Sequence, residues 1–142
     1  MSKVFDHACR LIAWREHSVG ELKRKLETKW SQDDEIDIVI DRFLDEGLLC
    51  DRRFAAAFLR SRVNKLQGPR KIRAELLRRS VSDTNIEEAL QAAEISWNAL
   101  ALKWLSRQSG VSDDYQTRAK FYRRLMNRGF THGQAMDALK AR

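Results

Sequence analysis

The sequence predicts an all-α protein, on three observations. Its 142 residues include one proline and six glycines, too few to punctuate a β sandwich or barrel, where turn signals recur about every 8 to 12 residues. Apolar residues recur at i and i+4 in successive stretches, which marks one buried helical face. The same offsets return three times at a spacing of about 50 residues. Together these predict three tandem three-helix repeats, residues 1–50, 51–94 and 95–142, stacked into an elongated, curved solenoid.

The first repeat opens with an amphipathic stretch over residues ~3–17. Ser18 and Glu21 form a capping box that starts the second helix, on which Leu22 and Leu26 face inward and Lys29 suits the negative end of the helix dipole. Trp30, Ser31 and Gln32 break the chain before Ile36 and Ile40 begin the third helix. Asp45, Glu46, Gly47 and Asp51 are expected to end that helix and cap the next.

In the second repeat the leading stretch is residues ~51–66, and Gly68-Pro69 opens the fifth helix, since a proline at the first helical position loses no hydrogen bond. Ile72, Leu76 and Arg79 repeat the earlier offsets, Ser80-Val81-Ser82 is the break, and Ile86 and Leu90 follow. No glycine or proline lies between residues 83 and 109, which leaves open that the sixth and seventh helices run together as one. The third repeat leads with residues ~95–109, continues with Phe121, Leu125 and Arg128, breaks at Gly129-Phe130-Thr131 and ends on Ala135 and Leu139. Thr131 with Gln134 gives a second capping box.

Several function classes are excluded at this level. The longest apolar run, Phe54 to Leu59, is far below the roughly 18 residues of a membrane span, and charge arrives too early at the N-terminus, Met-Ser-Lys-Val-Phe-Asp-His, for a signal peptide. A cytoplasmic monomer is expected, with Cys9 and Cys50 as reduced thiols. His7, His17 and His132 form no HExxH pair, and GxSxG, GxxxxGK[ST] and GxGxxG are absent. The run Asp33, Asp34, Glu35, Asp37 reads as acids at the positive end of a helix in preference to a metal cluster. Trp97 and Trp104, seven apart, read as core, whereas Trp30 sits at a turn and is a candidate partly exposed contact. No cofactor, metal or catalytic group is expected.

Charge points elsewhere. The net charge is +7 and the pI about 9.8, and the excess is uneven: residues 1–50 carry 8 Lys/Arg against 11 Asp/Glu, residues 51–96 carry 10 against 6, and residues 97–142 carry 9 against 3. With Ile72 and Leu76 inward on the fifth helix, Lys71 and Arg78 flank the buried side, and Arg70 and Arg73 project from the far side. With Phe121 and Leu125 inward on the eighth, Lys120, Arg123 and Arg124 share the opposite face. Acids are nearly absent nearby, so a bound anion or an acidic protein surface competes with a merely solvated face. The candidate partner-binding residues are Arg52, Arg53, Arg60, Arg70, Lys71, Arg73, Arg78, Lys120, Arg123, Arg124 and Arg128.

Three segments, in this order and spacing, resemble the RecX recombination regulators: Gly47-Leu48-Leu49-Cys50-Asp51-Arg52-Arg53-Phe54-Ala55, Gly68-Pro69-Arg70-Lys71-Ile72-Arg73-Ala74-Glu75-Leu76, and Arg128-Gly129-Phe130. The resemblance spans nearly the whole chain. It implies three three-helix repeats and a negative modulator of the RecA recombinase that lodges in the groove of the RecA filament on single-stranded DNA. It further implies reduced ATP hydrolysis, strand exchange and filament growth, with single- or double-stranded DNA as an additional candidate partner. A direct nucleic-acid-binding module without a RecA target is the alternative, its cations on phosphate; a small nuclease is a distant third.

Overall fold

The computed structural model describes residues 2–31 and 33–142; Met1 of the N-terminal reading and Gln32 of the first break lie outside the described residues. Among the described residues there are nine α-helices and no strand. They are α1 (Lys3–Trp14), α2 (Val19–Trp30), α3 (Glu35–Asp45), α4 (Asp51–Asn64), α5 (Pro69–Arg78), α6 (Asp83–Ala93), α7 (Trp97–Ser106), α8 (Tyr115–Asn127) and α9 (His132–Ala141).

The chain groups into two compact units. The first runs up to Ala57 and takes in Leu76–Ala89; the second is Phe58–Glu75 with Leu90–Arg142. The boundaries therefore fall inside α4, α5 and α6. In the first unit Val4 and Ala8 of α1, Leu22 and Leu26 of α2, and Ile36, Val39, Ile40 and Phe43 of α3 form one core with Leu49. In the second, Ala101, Trp104 and Leu105 of α7, Phe121 and Leu125 of α8, and Ala135, Ala138 and Leu139 of α9 close around Phe130 and Leu66. The repeated apolar offsets point inward throughout, except that on α6 Ala89 is buried and Leu90 only half-buried.

Both capping boxes form: the Ser18 and Thr131 hydroxyls accept from the amides of Glu21 and Gln134, whose side chains accept from the capping residues' own amides. Pro69 is the first residue of α5. Left-handed backbone marks the breaks at Ser31 (φ 55°), Ser80 (φ 64°) and Gly129 (φ 98°).

One alternative left open by the sequence closes, and one expectation needs correction. The sixth and seventh helices are separate, because Glu94 takes φ 51° and the Ser96 hydroxyl caps α7 by accepting from the Ala99 amide. A non-glycine residue at positive φ is uncommon, which is why composition did not mark this break. Asp51, expected to cap the helix it begins, instead accepts the Val19 amide of α2 at 2.8 Å, and burial pushes its carboxyl up.

The tryptophans divide. Trp104 is buried and Trp97 half-buried. Trp30 is half-buried, its indole Nε1 donating to His7 Nδ1 at 3.0 Å. Trp14, which the sequence did not single out, is 87% exposed at the end of α1.

Candidate partner-binding surface

In each unit the start of one helix meets the end of another. In the first unit the Ser18 hydroxyl at the head of α2 donates to the Arg79 carbonyl just past α5 (2.7 Å), and Arg24 reaches the Arg78 carbonyl at 3.4 Å. A Cβ on Gly20 would fall 2.5 Å from Ser80 Cβ, so the contact needs glycine. Beneath it Glu21 is buried and faces Arg15 at 3.1 Å and Arg79 at 3.4 Å. Burial alone would raise this carboxyl, but hydrogen bonds from Arg15 and the Ser18 amide, with the neighbouring positive charge, hold it below the ordinary value.

In the second unit the head of α5 meets the end of α8. The Gly68 amide donates to the Arg128 carbonyl at 2.7 Å, and the Arg70 amide to the Gly129 carbonyl at 2.8 Å. A Cβ on Gly68 would lie 2.3 Å from the carbonyl carbon of Gly129, and one on Gly129 would lie 2.4 Å from Lys71 Cβ. Free amides at one helix start thus answer free carbonyls at the end of another, and the two helix dipoles meet with opposite signs.

This joint unites what the sequence presented as two separate cationic faces. A shallow depression is lined by Arg70, Lys71, Met126, Asn127 and Gly129. Arg123 stands one helical turn before Asn127, and Lys120 one turn before Arg123 and Arg124. A ridge of Lys120, Arg123 and Arg124 therefore runs down α8 towards Arg70 and Lys71, with all five side chains exposed. Arg73, one turn further along α5, is half-buried. Lys120 and Arg124 lie 5.6 and 5.3 Å from the Phe121 ring centre, which rests their stems on the core.

Charge divides unevenly between the two units. Residues of the first unit include 12 Lys/Arg and 15 Asp/Glu, and those of the second 15 and 5. The positive excess belongs wholly to the second unit. Successive thirds of the chain do not separate it, because the unit boundaries cut three helices.

The other sequence candidates lie elsewhere. Arg60 is exposed on the second unit's part of α4, and Arg78 is exposed at the end of α5 in the first unit. Arg52 faces Glu88 at 3.6 Å with both side chains well exposed. Two candidates are engaged by the fold. Arg53 pairs with Glu16 and donates to the Gly47 and Leu48 carbonyls at 3.0 and 3.2 Å, and the Glu16 hydrogen bond raises its pKa. Arg128 donates to the Leu66 carbonyl at 2.9 Å and to that of Lys65, and lies 5.6 Å from the Trp104 ring centre. Burial lowers its pKa. Leu66 has φ 62° with its side chain buried, so Arg128 holds a strained turn in place.

Among the described residues no group of three or more His, Cys, Asp or Glu is placed to hold a metal, and no helix is long and apolar enough to cross a membrane. The acids Glu35 and Asp37 occupy the first turn of α3, and Asp33 accepts from the Glu35 amide at 2.9 Å. Cys9 and Cys50 are free and half-buried.

Comparison with known proteins agrees across the chain. Residues 51–90, which cover α4, α5 and most of α6, match the family model described as RecX, second three-helix domain. The regulatory protein RecX of Chromohalobacter salexigens is 40% identical over 135 residues, covering 94% of this chain and 89% of that protein. The one from Halorhodospira halophila is 39% identical over 140 residues, covering 97% and 87%. The crystal structure of RecX from Lactobacillus salivarius superposes with a TM-score of 0.84 at 19% identity over 98% of this chain and 94% of that one, a likeness of fold.

Proposed function

From the premise that the chain belongs to the RecX family of regulatory proteins, we propose that it is a negative regulator of the RecA recombinase. In this reading it binds RecA filaments on single-stranded DNA and lowers ATP hydrolysis, filament growth and strand exchange. It works in the cytoplasm and performs no chemistry of its own. The reading keeps the helices as three successive three-helix groups, supported by the match of residues 51–90 to a three-helix domain model.

The observation that carries the proposal is the joined cationic ridge of Lys120, Arg123, Arg124, Arg70 and Lys71 in a unit with 15 basic and 5 acidic residues. Such a surface selects a partner with clustered negative charge and steers its approach. Glycine at positions 68 and 129 places the two helix ends in contact, so the ridge is preorganised by backbone hydrogen bonds. The test is ATP hydrolysis by RecA on single-stranded DNA, with and without this protein. Direct nucleic-acid binding without RecA is the second reading, favoured by the same cations. Binding through phosphate alone would weaken steeply with salt, with log K falling by about 0.7 per neutralised phosphate per unit of log salt on single strands. Inhibition through RecA survives salt that strips the protein from bare strands.

A further inference from the structure

We propose that the cleft between α8 and α9 is a contact site for single-stranded nucleic acid, in which a splayed-out base stacks on Tyr115 and Tyr122 while Arg123 meets the adjoining phosphate. This rests on the second reading, direct nucleic-acid binding, and gives it a site; it does not depend on RecA.

The cleft is an apolar hollow of about 260 Å³ whose walls include Tyr115, Arg118, Tyr122, His132, Met136 and Leu139. That is several times the roughly 30 Å³ share of one water. Tyr115 is 85% exposed at the first turn of α8, where nothing in the unit covers its ring. Tyr122, two turns on, is held by its hydroxyl, 2.9 Å from His132 Nδ1, with the two rings edge to face at 5.7 Å. Arg118 is anchored to the Leu139 carbonyl at 3.2 Å and so forms part of the wall.

The occupant follows from charge and helical geometry. At 100° per residue, Tyr115, Ala119 and Tyr122 share one stripe of α8, and Arg123 is the next position round, between that stripe and Lys120 with Arg124. An aromatic cleft bordered by a cationic ridge suits a single strand, whose bases offer ring faces and whose backbone is anionic. Three acids lie nearby and keep their negative charge; Asp114 precedes α8 and Arg123 sits more than two turns along it, so the phosphate contact falls to Arg123. Asp114 accepts from the Thr117 amide and hydroxyl at 3.0 and 2.9 Å, Asp113 faces Arg118 at 3.9 Å, and Asp137 accepts from Asn98 at 3.1 Å. An apolar peptide would find the same hollow but would leave the ridge beside it unused.

The test is binding of a fluorescently labelled oligothymidine and an abasic strand of equal length, followed by anisotropy without RecA. Tyr115→Ala should weaken binding of the oligothymidine about five- to a hundredfold and the abasic strand little, and Tyr115→Phe should restore it. Arg123→Glu should weaken both strands. Equal affinity of Tyr115→Ala and parent for oligothymidine, or equal losses on both strands, overturns the proposal. If Tyr115→Ala keeps strand binding and loses RecA inhibition, the cleft is a protein contact: this inference fails while the regulatory reading stands. If strand binding behaves as stated and RecA is unaffected by the parent, the regulatory reading fails and this one stands.

Discussion

The Gly68 amide donates to the carbonyl of Arg128 at 2.7 Å, and Arg128 answers through its guanidinium, which donates to the Leu66 carbonyl two residues before that glycine. One residue thus closes the joint from both sides. Its backbone receives the head of α5 and its side chain fixes the left-handed turn that leads there. Arg128→Ala should therefore act on stability, costing about 1 to 3 kcal/mol through the part-buried Leu66 carbonyl left unmet. Arg123→Ala, five residues earlier on the exposed ridge, should change stability by about 0.5 kcal/mol or less. Urea denaturation of the two variants makes the comparison; equal effects would mean the joint does not rest on Arg128.

The glycines give a second contrast. Gly68→Ala sets a methyl against the Gly129 and Phe130 backbone, and overpacking against backbone costs typically about 1 to 3 kcal/mol. Gly133→Ala on α9 meets nothing within 4 Å and should be neutral or stabilising by at most about 1 kcal/mol. Thermal unfolding of both variants checks this.

Core positions should behave as the repeated offsets require. Leu26, Leu76 and Leu125 are each fully buried, and each leucine-to-alanine change should cost about 2 to 5 kcal/mol. Denaturation midpoints near that of the parent for all three would contradict the core assignment.

Stability should fall as the solution is acidified below about pH 6.5, the ordinary histidine value. His17 is 2% exposed, with its Nδ1 3.0 Å from the Arg15 carbonyl and its Nε2 2.9 Å from Lys25 Nζ. With the Lys25 ammonium as donor, the ring is the neutral tautomer that carries its proton on Nδ1. Burial, then the Arg15 and Lys25 charges, lower its pKa against the opposing carbonyl bond. The unfolded chain therefore binds the proton first, so the contribution of His17 is complete above pH 6.5 and is lost as pH falls through its folded value. His7 is lowered in the same direction, chiefly by burial. Denaturation at pH 8 and pH 5 should show the loss, and His17→Gln should shrink the difference between them.

What the sequence revealed and what it hid separate along physical lines. Signals made by neighbours in the chain were legible: Ser18 with Glu21, Thr131 with Gln134, Pro69 at a helix start, and the i and i+4 apolar pairs. Signals made by distant residues were not. Gly68 and Gly129 each read as a boundary, and only their contact turns two basic helices into one ridge. Arg53 and Arg128 looked like surface charge, because nothing in a linear string shows the carbonyls they hold. Whether the sixth and seventh helices join stayed open in the sequence because the break at Glu94 uses no glycine or proline. The aromatic cleft went unseen because Tyr115 and His132 lie on different helices, and Trp14 resembled any other apolar position at the end of an amphipathic stretch.

The central claim is that the joined ridge is the surface through which this protein restrains RecA. ATP hydrolysis by RecA on single-stranded DNA, titrated with the parent and with the Arg70→Glu, Lys71→Glu, Arg123→Glu triple variant, tests it most directly, with circular dichroism to establish that the variant is folded. The account predicts that the parent lowers hydrolysis and that the folded variant needs at least about tenfold more protein, or fails, since a contact charge pair broken on one side costs about 2 to 5 kcal/mol. A folded variant that inhibits as strongly as the parent would contradict it.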